Sequence, residues 1–386
     1  MAPKSAETRS AVGFNPDPDH AVTLPSFYYW DGEICARERE EIWFKTWQFV
    51  GHAHDVARPG DFLTADILDQ KILVTRGKDG ALRAFYNVCM HRGHVLAEGH
   101  GNRSIFTCPF HAWSYDATGA LKAAGNAEDV AGFRLEDFGL AAVQVEVFAN
   151  MVFVNLDPRA PALAVQAAGL DADIRARVRG YDDMISVRAD ARPLACNWKY
   201  ILDQNECYHC PVLHPKVGFG SRSKTRWINE QHAIWSRHIS RADPDEIDGS
   251  GDGIMPKVDA DSPLIYETYI WFLWPNLVFL SHRGAANFKI QRVVPTGAES
   301  CVFSVDNLCP SAVPTDRDME GIDFYWNIVV PQDVGAMEAQ QRGAHARGYT
   351  QGRLMVDRER GVRSEHAVHH FDDLVWRALN SPNYRP

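Results

Sequence analysis

The chain has 386 residues, 45% of them hydrophobic, and a formal net charge of −10. This length suits two globular domains, and the acidic balance argues against nucleic acid or an anionic membrane as a partner. No run approaches the about 20 apolar residues of a membrane span. The opening MAPKSAETRSAVGFNPDPDH lacks the apolar core of a secretory signal, so a cytoplasmic setting with reduced thiols is expected.

Residues 31–47, DGEICAREREEIWFKTW, predict a helix. Asp31 can cap it, acidic residues crowd its first half, and Ile34, Ile42 and Trp43 fall near one face. Short β-rich runs follow, DFLTADIL, KILVTRG, LRAFYNV and SIFTCPF, separated by Gly, Asp and Asn turns as in a small sheet domain. Residues 143–156 predict a hairpin with Ala149-Asn150 at the turn, and DPRAPA then breaks the pattern. A domain boundary is placed there: 1–40 an N-terminal arm with the start of the first helix, 41–156 a first domain, 157–386 a second.

In the second domain residues 164–178, 333–348 and 366–380 predict helices, and 267–281, 287–294 and 301–308 predict strands. Strands followed by a late run of helices point to an α+β domain with an antiparallel sheet. No phosphate-binding glycine loop is present, which argues against a nicotinamide or flavin site in this chain.

The chemistry concentrates in two places. Cys89-Met90-His91 and, after sixteen intervening residues, Cys108-Pro109-Phe110-His111 give C-x-H and C-x-x-H. Two Cys and two His in two loops could hold one zinc or one [2Fe–2S] cluster of the Rieske type. Zinc fingers usually pair like with like, whereas here each loop offers one of each. That arrangement lets one iron take two thiolates and the other two imidazoles. His94 and His100 fall outside the pattern and are expected to be exposed non-ligands.

The second place is Glu206-Cys207-Tyr208-His209-Cys210-Pro211-Val212-Leu213-His214. His209 and His214, with one distant carboxylate, would form the facial triad of a non-haem Fe(II) oxygenase. Cys207 and Cys210 also make C-x-x-C, a zinc or redox signal, but no second such pair exists to complete a zinc site. The rival to an oxygenase is a pure electron carrier with an appended binding domain, which would need no second iron.

Cys89-Met90-His91-Arg92-Gly93 and Cys108-Pro109-Phe110-His111-Ala112-Trp113 resemble the cluster loops of Rieske non-haem iron oxygenase alpha subunits, the aromatic-ring-hydroxylating oxygenase family. The resemblance extends over nearly the whole chain. Softer matches are Thr46-Trp47 to Gly51-His52, Ala84 to Val88, and Gly352-Arg353 through Ser364 to Phe371. These last segments look more like the branch acting on glycine betaine, choline, stachydrine or carnitine. The resemblance implies an N-terminal all-β Rieske domain and a C-terminal helix-grip catalytic domain.

It also implies roles. Asp333, in QDVGAMEAQQ, would be the third ligand of the mononuclear iron, with Asp323 and Glu338 as alternatives and a plain helix N-terminal charge as the bland reading. Glu206 occupies the place of the acidic bridge to a cluster histidine of the neighbouring subunit, with Asp203 its rival. Asn197-Trp198-Lys199 matches the entry into that helix. The family's two metals lie too far apart within one chain, which implies a head-to-tail homotrimer. Electrons would come from NAD(P)H only through a separate flavin and iron–sulfur reductase, and O2 would be the cosubstrate.

The implied reaction is monooxygenation of an N-methyl group of a quaternary ammonium or betaine, releasing formaldehyde. The alternative is ring hydroxylation of an aromatic acid or amine. Trp227, Trp235, Trp271, Trp274 and Trp326, with Tyr208, Tyr266, Tyr269, Phe272 and Phe279, are candidates for an aromatic pocket, although aromatics on strands usually build core. His366, His369 and His370 are expected to be a packed or subunit-facing helix end.

Overall fold

The computed structural model describes residues 13–205, 213–214, 227–240, 265, 267–282, 285–361, 364–381 and 384. The chain divides into two compact units: Arg39–Ala168, and the segment ending at Glu38 together with Gly169–Tyr384. The first helix, α1 (Gly32–Glu38), opens where Asp31 Oδ1 accepts the Glu33 N–H at 2.8 Å. It does not continue to Trp47 as an α-helix. It widens into a π segment, Arg39–Trp43, and the Thr46 hydroxyl donates back to the Ile42 carbonyl at 2.8 Å.

Ten strands build the unit Arg39–Ala168: β1 (Gln48–His52), β2 (Asp61–Ile67), β3 (Gln70–Arg76), β4 (Leu82–Tyr86), β5 (His100–Asn102), β6 (Ile105–Thr107), β7 (Ser114–Asp116), β8 (Leu121–Ala123), β9 (Ala142–Phe148) and β10 (Met151–Asn155). Seven of them form a sheet in the order β1-β10-β9-β4-β3-β2-β5, and β6-β7-β8 form a small second sheet. Every paired neighbour is antiparallel, so the all-β expectation holds. β9 and β10 meet in the expected hairpin, with Ala149 and Asn150 both at positive φ (48° and 59°), the backbone of a two-residue hairpin turn. Aliphatic side chains such as Ile72, Val74, Val152 and Val154 fill one core. A second, aromatic core (Phe62, Phe85, Phe106, Trp113, Tyr115) also takes in Cys89 and Cys108.

A short helix, α2 (Leu163–Gln166), closes that unit, and α3 (Leu170–Arg177) opens the next stretch. The single helix expected over 164–178 is therefore two. Gly169 stands between them at φ 91°, a conformation open to glycine and costly for other residues.

Among the described residues, the second unit holds one antiparallel sheet of seven strands, with helices packed on it. Its strands are β11 (Ile185–Leu194), β12 (Trp227–Gln231), β13 (Trp235–Ser240), β14 (Thr268–Leu273), β15 (Leu277–Ser281), β16 (Phe288–Gly297) and β17 (Ser300–Cys309). Their order is β11-β17-β16-β15-β14-β13-β12. Besides α1 and α3, the helices among its described residues are α4 (Lys199–Asn205), α5 (Asp316–Phe324), α6 (Val330–Ala344) and α7 (His366–Asn380). α5 and α6 are one continuous run through a π segment, Tyr325–Val329.

The two faces of this sheet differ. On one, Phe288 packs with Phe279, Trp271 and Tyr181. On the other, Phe371 of α7 lies edge-on to Phe272, Trp326 stacks on Phe303, and the Tyr325 hydroxyl accepts from Gln291 at 2.8 Å. α7 and the α5–α6 run thus pack against the second face, the arrangement of a helix-grip domain. Trp271 and Phe279 belong to the core. Of the other pocket candidates, Tyr208 and Tyr266 lie outside the described residues.

Candidate metal centres

The first centre is made by two loops of the same construction. The Cys89 N–H donates to the His94 carbonyl at 2.8 Å, and the Gly93 N–H returns to the Cys89 carbonyl at 3.0 Å. In the second loop the Cys108 N–H donates to the Trp113 carbonyl at 2.8 Å, and the Ala112 N–H returns to the Cys108 carbonyl at 3.0 Å. The residue four after each cysteine has positive φ: Gly93 at 75° and Ala112 at 59°. Glycine takes that conformation freely, whereas for alanine it costs about 1–2 kcal/mol.

This construction buries the sulfurs and exposes the imidazoles. Cys89 and Cys108 are buried, while His91 and His111 are exposed. The two rings lie 4.7 Å apart at 79°, and His91 stacks on Trp113 at 4.9 Å and 11°. His111 titrates below the usual imidazole range, through desolvation first and then the neighbouring His91 and Arg92. The donors thus divide into a buried thiol pair and an exposed imidazole pair. A cluster with one iron on two thiolates and the other on two imidazoles requires that division. His94 and His100 are exposed and outside this group.

Tyr115 sits beneath the loops, fully buried. Its hydroxyl accepts the Met90 N–H at 2.9 Å and lies 3.5 Å from Cys89 Sγ; against a metal-bound thiolate, which has no proton, the hydroxyl is the donor. Burial, and then the hydrogen bond to Cys89, raise the phenol above its usual range, so it stays a donor. Such a bond stabilises the reduced, more negative cluster. Tyr115→Phe should therefore lower the cluster's midpoint potential. At about 1.5–3 kcal/mol for a bond to a charged acceptor, the drop is roughly 65–130 mV for one electron. Potentiometric titration of the visible spectrum checks it; an unchanged potential would show that the hydroxyl does not reach the sulfur.

The second centre lies in the sheet-and-helix unit. His214 is buried, with Nε2 2.8 Å from Asp333 Oδ1 and Nδ1 2.6 Å from Gln332 Oε1. An amide oxygen only accepts, so Gln332 holds the Nδ1 proton, and Nε2 donates to the Asp333 carboxylate; a bound iron would take the place of that Nε2 proton. Burial depresses the His214 imidazole, but the bonds to Asp333 and Gln332 outweigh it and the net shift is upward. Gln204 of α4 adds a 3.2 Å contact to the same Asp333 oxygen. One imidazole and one carboxylate oxygen thus converge on a single point, and that donor set suits Fe(II).

The remaining candidates fall as follows. Glu206, Cys207, His209 and Cys210 lie outside the described residues. Asp203 accepts the Tyr29 hydroxyl at 3.0 Å. Asp323 is paired with Arg188 at 2.6 Å, and Glu338 accepts the Ala195 N–H at 3.1 Å, so both alternatives to Asp333 point elsewhere. His366 and His369 face separate backbone carbonyls, of Asn229 and Asn15. Among the described residues, no three His, Cys, Asp or Glu side chains converge on a single ion. No described helix is long and apolar enough to cross a membrane.

Comparison with known proteins identifies the family. The Rieske [2Fe-2S] domain family matches residues 46–134, and the ring hydroxylating alpha subunit (catalytic domain) family matches residues 181–381. The chain belongs to the family of Rieske non-haem iron oxygenase alpha subunits. Its two domains carry a Rieske cluster and a mononuclear iron, and it is an oxidoreductase.

Within the family it is 31% identical to the carnitine monooxygenase oxygenase subunit of Acinetobacter baumannii, over 96% of this chain and 98% of the relative. It is 29% identical to the chloroplastic choline monooxygenase of Beta vulgaris, over 93% of this chain and 78% of the relative. A solved quaternary ammonium Rieske monooxygenase, described for carnitine oxidation and inter-subunit electron transfer, superposes with a TM-score of 0.84 at 30% identity. The match covers 95% of this chain and 98% of that one.

Proposed function

We propose that this protein hydroxylates a carbon bonded to the nitrogen of a quaternary ammonium or betaine substrate, the N-methyl carbon first of all. The product would be a hemiaminal that collapses to release formaldehyde, a net N-demethylation. The observation that carries the reading is His214 facing Asp333 across 2.8 Å, in a chain whose relatives are named for carnitine and choline oxidation. The pure electron carrier has no use for that pair.

In this reading Cys89, His91, Cys108 and His111 hold the cluster, and His209, His214 and Asp333 hold the mononuclear iron. When bound, the two groups supply electron delivery and O2 activation. The chain's own residues do the rest: Gln332 fixes the His214 tautomer, Gln204 steadies Asp333, and aromatic faces hold a cation that has no hydrogen to donate. Glu206 would bridge to a cluster histidine of the next subunit of a head-to-tail trimer, a place for which Asp203 is less suited because it already receives Tyr29. A separate reductase would draw on NAD(P)H.

Purified protein should contain about three iron and two labile sulfide per chain. With a compatible reductase it should consume O2 on addition of carnitine or choline and release formaldehyde. Release of trimethylamine instead would move the attack to the carbon chain. Turnover of aromatic acids with no response to any quaternary ammonium would sink the reading.

A further inference from the structure

Lys289 lies on β16 and is 5% exposed. Its neighbours Phe288 and Ile290 point to one side of the sheet, and Lys289 and Gln291 to the other, under the α5–α6 run. Lys289 Nζ is 5.7 Å from the centre of the Tyr325 ring, and Gln291 donates to the hydroxyl of that tyrosine. Asn307, the cross-strand partner of Lys289, has a buried Oδ1 with no hydrogen-bond partner.

Among the described residues no carboxylate pairs with this ammonium. Of the groups that influence it, Asp318 is committed to capping α5, accepting the Thr315 N–H at 2.9 Å and its hydroxyl at 2.7 Å, and Cys309 is a thiol. Burial pushes the Lys289 amine down to about 8. An unpaired buried cation is expensive, and sites that tolerate one commonly serve a ligand.

The placement suggests which ligand. Tyr325 precedes Asp333 by eight residues in one helical run, or about 12 Å at the helical rise. We propose that Lys289 receives the carboxylate of a zwitterionic substrate whose quaternary ammonium end lies towards His214 and Asp333. The proposal rests on the quaternary ammonium reading above and narrows it to substrates with an acidic tail. An ion contact of about 3 Å and a chain of about four single bonds of roughly 1.5 Å span most of that distance. Choline carries no carboxylate to complete the contact.

The test uses the iron-loaded enzyme with its reductase and compares L-carnitine with choline in the parent and in Lys289→Met, which keeps the apolar stem. The KM for carnitine should rise about 10- to 100-fold, the worth of one charged hydrogen-bonded contact, while kcat changes less than about threefold. The penalty on choline should be far smaller, so the carnitine-to-choline ratio of kcat/KM falls. Melting temperature should not fall, because an unpaired buried charge is being removed. Equal losses on both substrates, or none, overturn the inference. A parent enzyme that oxidises choline but not carnitine also overturns it and leaves the proposed function standing. A parent that responds to no quaternary ammonium, glycine betaine and stachydrine included, overturns both.

Discussion

A His214→Ala protein should keep the visible absorption of its cluster and lose turnover by roughly three orders of magnitude or more. The two centres are built on separate compact units, with Cys89, His91, Cys108 and His111 in one and His214 and Asp333 in the other. In the proposed site, removing the buried imidazole would leave only Asp333 and His209 as donors, too few to keep iron against water. Asp333→Ala should do the same. Gln332→Ala is the graded control: it removes no donor but frees the His214 tautomer, and should cost about 10- to 100-fold in iron affinity. Iron-to-sulfide ratio, absorption spectrum and product yield separate the two ligand variants from the Gln332 control. His91→Ala should give the reverse pattern, a lost cluster and a retained mononuclear iron. A His214→Ala protein that still holds a third iron and turns over would show that the iron site lies elsewhere.

Much of this was legible because metal ligands are fixed by chemistry more tightly than by packing. Each candidate cluster loop carries one Cys and one His within four residues, and the β-rich runs around them are set off by Gly, Asp and Asn turns, so loops and sheet could be read together. The hairpin at Ala149-Asn150 and the helix His366–Asn380 were also plain. Other features were hidden by physical causes. The sequence pattern shows the run α5–α6 only from Asp333, because Pro331 interrupts a helical pattern; the structure carries the helix back through Pro331 and the π segment Tyr325–Val329 to Asp316. β11, with polar residues at alternating positions, was missed altogether.

Lys289 and Gln291 also went unnoticed. In FKIQRVV they alternate with apolar neighbours, the pattern of a strand with one wet face. Here helices cover that face, so the polar positions point inward. Sequence alternation reports which residues share a face, and only the tertiary structure tells what lies against it.

The ion pair of Glu38 with Lys199 should be the costliest structural contact to break from one side. Both side chains are buried, Lys199 at 0% and Glu38 at 1% exposure. Glu38 closes α1 and Lys199 opens α4, the helix that leads towards His209 and His214. Trp198 Nε1 donates to the other Glu38 oxygen at 2.8 Å, and the Lys199 ammonium lies 5.3 Å from the rings of Tyr29 and Trp198. Glu38→Gln keeps an acceptor for Trp198 but strands the ammonium without a counter-charge. The expected loss is about 3–5 kcal/mol, a fall in melting temperature of roughly 10 °C for a unit of this size. Because α4 also carries Gln204 and Asp203, occupancy of the mononuclear iron should fall with it while the cluster stays filled. Lys199→Met combined with Glu38→Gln should recover most of the stability, since a well-packed neutral pair carries no desolvation cost. A single variant that loses less than about 1 kcal/mol, the range of an exposed pair, would show that water reaches the ammonium.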